Sequence, residues 1–176
     1  SWEEEVWFDQ DREAVFTRRA RRFGAILLEE KPSACQPDPN AVLDLLLAKA
    51  LESFPLLFPM NGEEGRCFRR LKYLKRQRPD IIGLDWLDHP ASLLKEWCVG
   101  CRSFAQLRKI DLQADFLQRL TWKQREALNT VAPDRMKLPS GSSARLDYPT
   151  GQAPILAARI QQLFGMKKTP LLGGSP

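Results

Sequence analysis

Hydrophobic and polar residues alternate over residues 3–31. Val6 and Phe8 precede the polar run Asp9-Gln10-Asp11-Arg12, and Val15 to Arg22 and then Ala25 to Leu28 follow it. Period-two alternation rich in β-branched and aromatic residues, interrupted by a polar turn, predicts two or three antiparallel strands. Pro32, Pro37 and Pro39 punctuate the exit, and Asp38 before Pro39 supplies an N-cap and a first-turn proline for a helix through Leu51. From 39 to 132 the apolar spacing is helical, with breaks at Pro55, Pro59, Pro79, Pro90 and near Gly100. Thr121 with Gln124 three residues later forms a capping box for a helix from Trp122 to Ala132, which Pro133 ends. Met136 to Leu138, the turn Pro139-Ser140-Gly141-Ser142 and Ala144 to Tyr148 then read as a β-hairpin. Pro154 opens a last helix, whose apolar residues Ile155, Leu156, Ile160, Leu163 and Phe164 are closed by Gly165.

The pattern therefore predicts an α+β chain in three parts: an antiparallel β-meander over 1–38, a helical bundle over 39–132, and a β-hairpin plus helix over 133–176. With 176 residues the chain can bury one substantial core or two small ones. A composition of 43% hydrophobic and 28% charged residues of both signs is that of a folding globular protein rather than a disordered one. The longest apolar run, Ala41 to Ala48, is interrupted by Asp44 and falls far short of the roughly 20 residues needed to span a bilayer. No membrane partner is expected. Glu3, Glu4 and Glu5 near the start are unlike a signal peptide. Four cysteines are too sparse for a disulfide scaffold, so they are expected to be reduced thiols in a cytoplasmic protein.

The net charge of +5 is compatible with phosphate binding but too mild to establish it. There is no GxxxxGK[ST] phosphate loop and no acidic box for magnesium, so no ATP chemistry is expected within this chain. His89 is the single histidine, which excludes a histidine-rich metal site, and Ser142 and Asp147 complete no triad with it. Cys98-Val99-Gly100-Cys101 has thioredoxin-like spacing. However, Leu93, Leu94 and Trp97 place Cys98 near a helix C-terminus, where the dipole disfavours a thiolate. With Cys35, Cys67 and His89 scattered singly, buried structural thiols are expected instead of a zinc site. The five tryptophans, Trp2, Trp7, Trp86, Trp97 and Trp122, are expected in core packing rather than stacked on bases.

Two basic clusters remain. Residues 66–78 form a basic amphipathic helix on which Cys67, Leu71 and Leu74 make the buried stripe. Arg69, Lys72 and Arg76 project from the opposite face, with Arg66 and Tyr73 beside them. That face could grip a phosphate backbone, or its cations could pair with nearby acids. On the second strand, alternation points Arg19 and Arg21 to one face and Arg18 and Arg22 to the other. With Arg145, the residues Arg66, Arg69, Lys72, Tyr73, Arg76, Arg19 and Arg21 make up the candidate nucleic-acid-binding set.

From Leu120 onward the residues become specific: Leu120-Thr121-Trp122-Lys123-Gln124-Arg125-Glu126-Ala127-Leu128, Ala132-Pro133, Leu138-Pro139-Ser140-Gly141-Ser142 and Arg145-Leu146-Asp147-Tyr148. They continue with Ala153-Pro154-Ile155-Leu156-Ala157, Arg159-Ile160-Gln161-Gln162-Leu163-Phe164-Gly165, Thr169-Pro170 and Gly173-Gly174. Over roughly the last 57 residues this closely resembles the C-terminal region of HrpB-type helicases. The segment Arg22-Phe23-Gly24-Ala25-Ile26-Leu27 is a looser match. The resemblance implies a DExH-box, superfamily 2 parent whose two RecA-like motor domains lie N-terminal to this piece and hold ATP and magnesium. It also implies a non-catalytic accessory piece, cut on both sides, that contacts single-stranded RNA or DNA or the motor domains; the alternative is a scaffold module without nucleic-acid binding. The strands are implied to belong to an oligonucleotide-binding-like barrel with the helices inserted.

Overall fold

A computed structural model describes residues 1–157. The chain divides into two compact units that interleave along the sequence. Unit 1 comprises Ser1–Phe58 and Pro90–Ile110, and unit 2 comprises Pro59–His89 and the chain from Asp111 onward. The helices of 39–132 are thus divided between the two units.

Unit 1 opens with the three antiparallel strands that alternation predicts: β1 (Trp2–Asp9), β2 (Ala14–Phe23) and β3 (Ile26–Pro32), in that spatial order. The Asp9 carboxylate accepts from the backbone N–H groups of Asp11 (2.9 Å) and Arg12 (3.1 Å), which closes the first turn. Gly24, at φ 59°, makes the second turn in a backbone region open to glycine. Helix α1 (Pro39–Glu52) starts as expected, with the Asp38 side chain accepting from Asn40 N–H at 3.1 Å. Next come the short helices α2 (Phe54–Leu57), α4 (Leu94–Cys98) and α5 (Phe104–Arg108), the last begun by a Ser103–Gln106 capping box. Val15, Leu46, Ala50, Leu94, Cys98 and Leu107 are fully buried between sheet and helices, each leucine stabilising the unit by about 1.5–3 kcal/mol. Backbone bonds tie the return segment to β2: Val15 N–H donates to Arg102 C=O (2.7 Å) and Phe104 N–H to Glu13 C=O (2.9 Å). At that end of the sheet the Phe8 ring meets Phe104 at 5.1 Å. The other end, β3 in particular, is exposed throughout.

Unit 2 is built around α3 (Arg66–Gln77), entered through a tight helical turn at Glu63–Gly65. Helices α6 (Leu112–Gln118) and α7 (Trp122–Val131) pack on it. The Thr121–Gln124 capping box is present as expected, and α7 ends at Val131 before Pro133. Phe116 lies at the centre, its ring 5.9 Å from Phe68 and 5.4 Å from Trp86. The hairpin forms from β4 (Arg135–Lys137) and β5 (Ser143–Asp147). Here one expectation is corrected: Ile155 and Leu156 do not begin a helix. They lie in β6 (Ile155–Ala157), paired antiparallel with β5 so that Leu146 faces Leu156. The edge of a two-stranded hairpin is an open row of donors and acceptors, and pairing it outweighs helical spacing over three residues. The rest of that expected helix, Ile160 to Gly165, lies outside the described residues.

Among the described residues the strands do not close into the barrel that the resemblance implies. They form two separate three-stranded sheets, one in each unit. Both are antiparallel, and the α+β class stands.

Candidate nucleic-acid interface

Cys67, Leu71 and Leu74 are buried in α3 as the helical spacing requires, but so are Arg70 and Tyr73. Arg70 lies three residues after Cys67 and four before Leu74, so it sits on the same stripe. Its Nε donates to Ala132 C=O at 2.8 Å, at the end of α7, and one Nη reaches Asn129 Oδ1 at 3.4 Å. A buried guanidinium is tolerated because its donors meet carbonyls that the helix end leaves unpaired.

The proposed outer face is also engaged. An Arg66 Nη donates to Leu146 C=O at 2.7 Å and pairs with Asp134 at 2.9 Å. Arg69 donates to the carbonyls of Met60 (2.8 Å) and Gly62 (2.6 Å) and pairs with Asp147 at 3.3 Å. The side chains of Arg66 and Arg69 are only 12% and 11% exposed. Tyr73, 4% exposed, packs on Tyr148 with ring centroids 5.1 Å apart, so it is not available to stack on a base. The Tyr148 hydroxyl donates to Pro133 C=O at 2.6 Å, and burial pushes its phenol up from the ordinary value. Arg76 donates to Gln152 C=O at 2.9 Å with its guanidinium over the Tyr73 ring. Lys72 pairs with Asp88 at 3.1 Å, Lys75 pairs with the same carboxylate, and Arg145 pairs with Glu63. The cations of α3 thus fasten the helix to the 60–62 turn, to the loop after α7 and to β5.

Asp88 carries the clearest electrostatic signature. Hydrogen bonds from Lys75 first and Lys72 second hold its carboxyl at about 2, below the ordinary 3.8. A folded-state value below the unfolded one contributes stability that is present above about pH 4 and lost as pH falls through 3.8 towards 2. Asp88→Asn is expected to flatten the acid side of the stability profile of unit 2 in that window, read as urea midpoints against pH.

Arg19 and Arg21 occupy the far end of β2. Opposite them stand Glu4 and Trp2 on β1, and Lys31 and Glu29 on β3. Arg21 lies 3.7 Å from Glu29, with both side chains half exposed, whereas Arg19 is exposed and makes no ion pair among the described residues. Arg18 and Arg22 share Glu5 on the other face, at 2.7 and 2.9 Å, and Arg22 first and then Arg18 hold the Glu5 carboxyl below its ordinary value. The eight nominated residues fall in two units. Arg66, Arg69, Lys72, Tyr73, Arg76 and Arg145 belong to unit 2 and are engaged there, while Arg19 and Arg21 belong to unit 1.

The tryptophans divide as well. Trp97 is buried against Phe58 (4.9 Å), whereas Trp122 stands exposed at the start of α7. Among the described residues no three His, Cys, Asp or Glu side chains gather as a metal site, and no helix is long and apolar enough to cross a membrane. Cys98 is buried at the end of α4, its thiol pushed up to about 11 by burial, and Cys101 donates to Trp97 C=O at 3.4 Å. Burial also pushes Cys67 up to about 11, whereas Cys35, against expectation, is exposed. Alkylation of the folded chain at neutral pH is expected to label Cys35 first, and Cys67 and Cys98 only on unfolding. Peptide mass spectrometry reads the order, and early labelling of Cys98 would reopen a redox role.

Residues 93–175 match the family described as ATP-dependent helicase C-terminal, HrpB_C. No curated protein matches the chain. Two solved structures from Escherichia coli are similar in fold: a DEAH/RHA helicase HrpB (19% identity, TM-score 0.63) and a DExH-box NTPase HrpB (19% identity, TM-score 0.64). Each likeness covers 98% of this chain but only 23% and 22% of those helicases, so the chain spans less than a quarter of their length.

Proposed function

From a chain that carries over residues 93–175 the C-terminal region of an HrpB-type ATP-dependent helicase, we propose a non-catalytic accessory module that docks on the parent's motor domains. The observation that carries this reading is the engagement of Arg66, Arg69, Lys72, Arg76 and Arg145 within unit 2. Cations already hydrogen-bonded to carbonyls and carboxylates must break those bonds to take up phosphate, which removes most of the gain from releasing counterions. The basic helix is thus an internal fastener, and the module acts through its surfaces. On this reading ATP and magnesium belong to the motor domains of the parent, which works in the cytoplasm, where thiols stay reduced.

Titrating the chain with fluorescent single-stranded RNA and DNA at two salt concentrations tests this. Lys72→Ala/Arg76→Ala is expected to leave any affinity within about twofold; a loss of about tenfold, or 1.4 kcal/mol, would restore α3 as a strand grip. The unpaired Arg19 favours a second reading, in which the end of the β2–β3 ribbon touches a phosphate. In that case Arg19→Ala/Arg21→Ala lowers the affinity and the salt dependence together.

A further inference from the structure

Strand β3 is exposed at all seven positions, and it is an edge strand whose outer side pairs with nothing among the described residues. Its first three residues are Ile26, Leu27 and Leu28, exposed by 63%, 39% and 55%, and Phe23 across the turn is exposed by 75%. Ile26 pairs with Phe23 and Leu27 with Arg22, so these two neighbours point to opposite faces, and Leu28 follows as the extra residue of a register shift between Arg21 and Arg22; all three are exposed. A half-solvated antiparallel strand alternates apolar with polar residues; a continuous apolar run belongs to a strand covered on both faces. The run thus carries one bulge, but no charge or proline interrupts Ile26–Leu28; those begin at Glu29 and Pro32.

The polar residues of β3 indicate what covers it. Glu29 pairs with Arg21 and Glu30 with Arg18, while Lys31 makes no ion pair among the described residues and lies over the Trp2 ring. A phosphate backbone laid along this edge would meet two carboxylates beside an apolar run, which disfavours nucleic acid. An extended apolar peptide meets open backbone donors and acceptors flanked by side chains of its own kind. The similar helicases have more than three quarters of their chain outside the part matched here. We propose that an extended apolar segment from that remainder of the parent helicase adds to the β3 edge as a further strand. This inference rests on the docking reading above and names the surface and the mode of contact.

Amide hydrogen exchange of peptides spanning Phe23–Lys31 tests it, comparing this chain alone with the full-length parent. The exchange is expected to be slowed by roughly tenfold or more in the parent. Leu28→Lys in the parent should abolish that slowing, with Ile26→Lys as a second variant. Both residues are exposed, so the thermal midpoint of the chain alone should not move. Unchanged exchange at β3 with slowing elsewhere on the chain overturns strand addition but spares docking. Unchanged exchange over the whole chain overturns both. Slowing that appears in the isolated chain as its concentration rises assigns the edge to a second copy and overturns the proposal.

Discussion

Phe116→Ala is expected to destabilise unit 2 by about 3–5 kcal/mol, the range for emptying a phenylalanine site in a packed core. Phe116 is fully buried on α6, and the rings of Phe68 on α3 and Trp86 meet its own at 5.9 and 5.4 Å. These neighbours come from two separate segments, so neither can collapse into the void without moving its own element. Because folded domains are stable by only about 5–15 kcal/mol, the variant should lose a large share of its margin. Urea unfolding followed by tryptophan fluorescence measures it. A loss below about 1 kcal/mol would mean that the Phe116 site refills and is not the centre of the unit.

Gly65→Ala should be nearly as damaging, by about 1–3 kcal/mol or more, for a different reason. A Cβ at Gly65 would stand 2.0 Å from the Met60 carbonyl oxygen and 2.3 Å from its carbon. Those are backbone atoms, so the 60–65 turn must open to make room. Arg69 hydrogen-bonds the carbonyls of Met60 and Gly62 in that same turn, so its bonds are lost with it. Gly62→Ala is the control: its Cβ would meet only the Pro59 oxygen, at 3.5 Å, and it should melt close to the unsubstituted chain. Equal melting of the two variants would remove the close approach as the cause.

Elements whose signals lie within a few residues were legible in the sequence. Asp38 before Pro39, Thr121 with Gln124, and the turn between β4 and β5 each place their own hydrogen-bonding atoms, so local chemistry suffices. The start of the expected helix at Ile155 failed because its competitor, the open edge of β5, lies eight or more positions away in sequence and is invisible to periodicity. The surroundings of the candidate site residues were hidden in a similar way. The wheel of α3 places Arg66 and Arg69 beside or opposite the buried stripe, but it cannot show that the Met60 and Leu146 carbonyls wait there as acceptors. Arg70 could have been found, because its spacing from Cys67 and Leu74 puts it among buried leucines. Charge alone kept it out of the core list. The exposure of Trp122 had no sequence signal, since an aromatic residue at the first position of a helix is as common in a core as on a surface.

The interleaving of the two units has a consequence for synthesis. Val15 cannot donate to Arg102 until the intervening helices have been made, a wait of roughly 4 to 17 seconds at ordinary elongation rates. During that interval α1 packs on the nascent β1–β2 face, but the apolar positions that α4 and α5 supply, Phe104 against Phe8 among them, are still empty, a condition under which strands pair with the wrong chain. Any shortened gene ending between residues 58 and 102 would make that interval permanent. Such products should be recovered mainly as aggregates or bound to chaperones, even though every residue of the sheet is present.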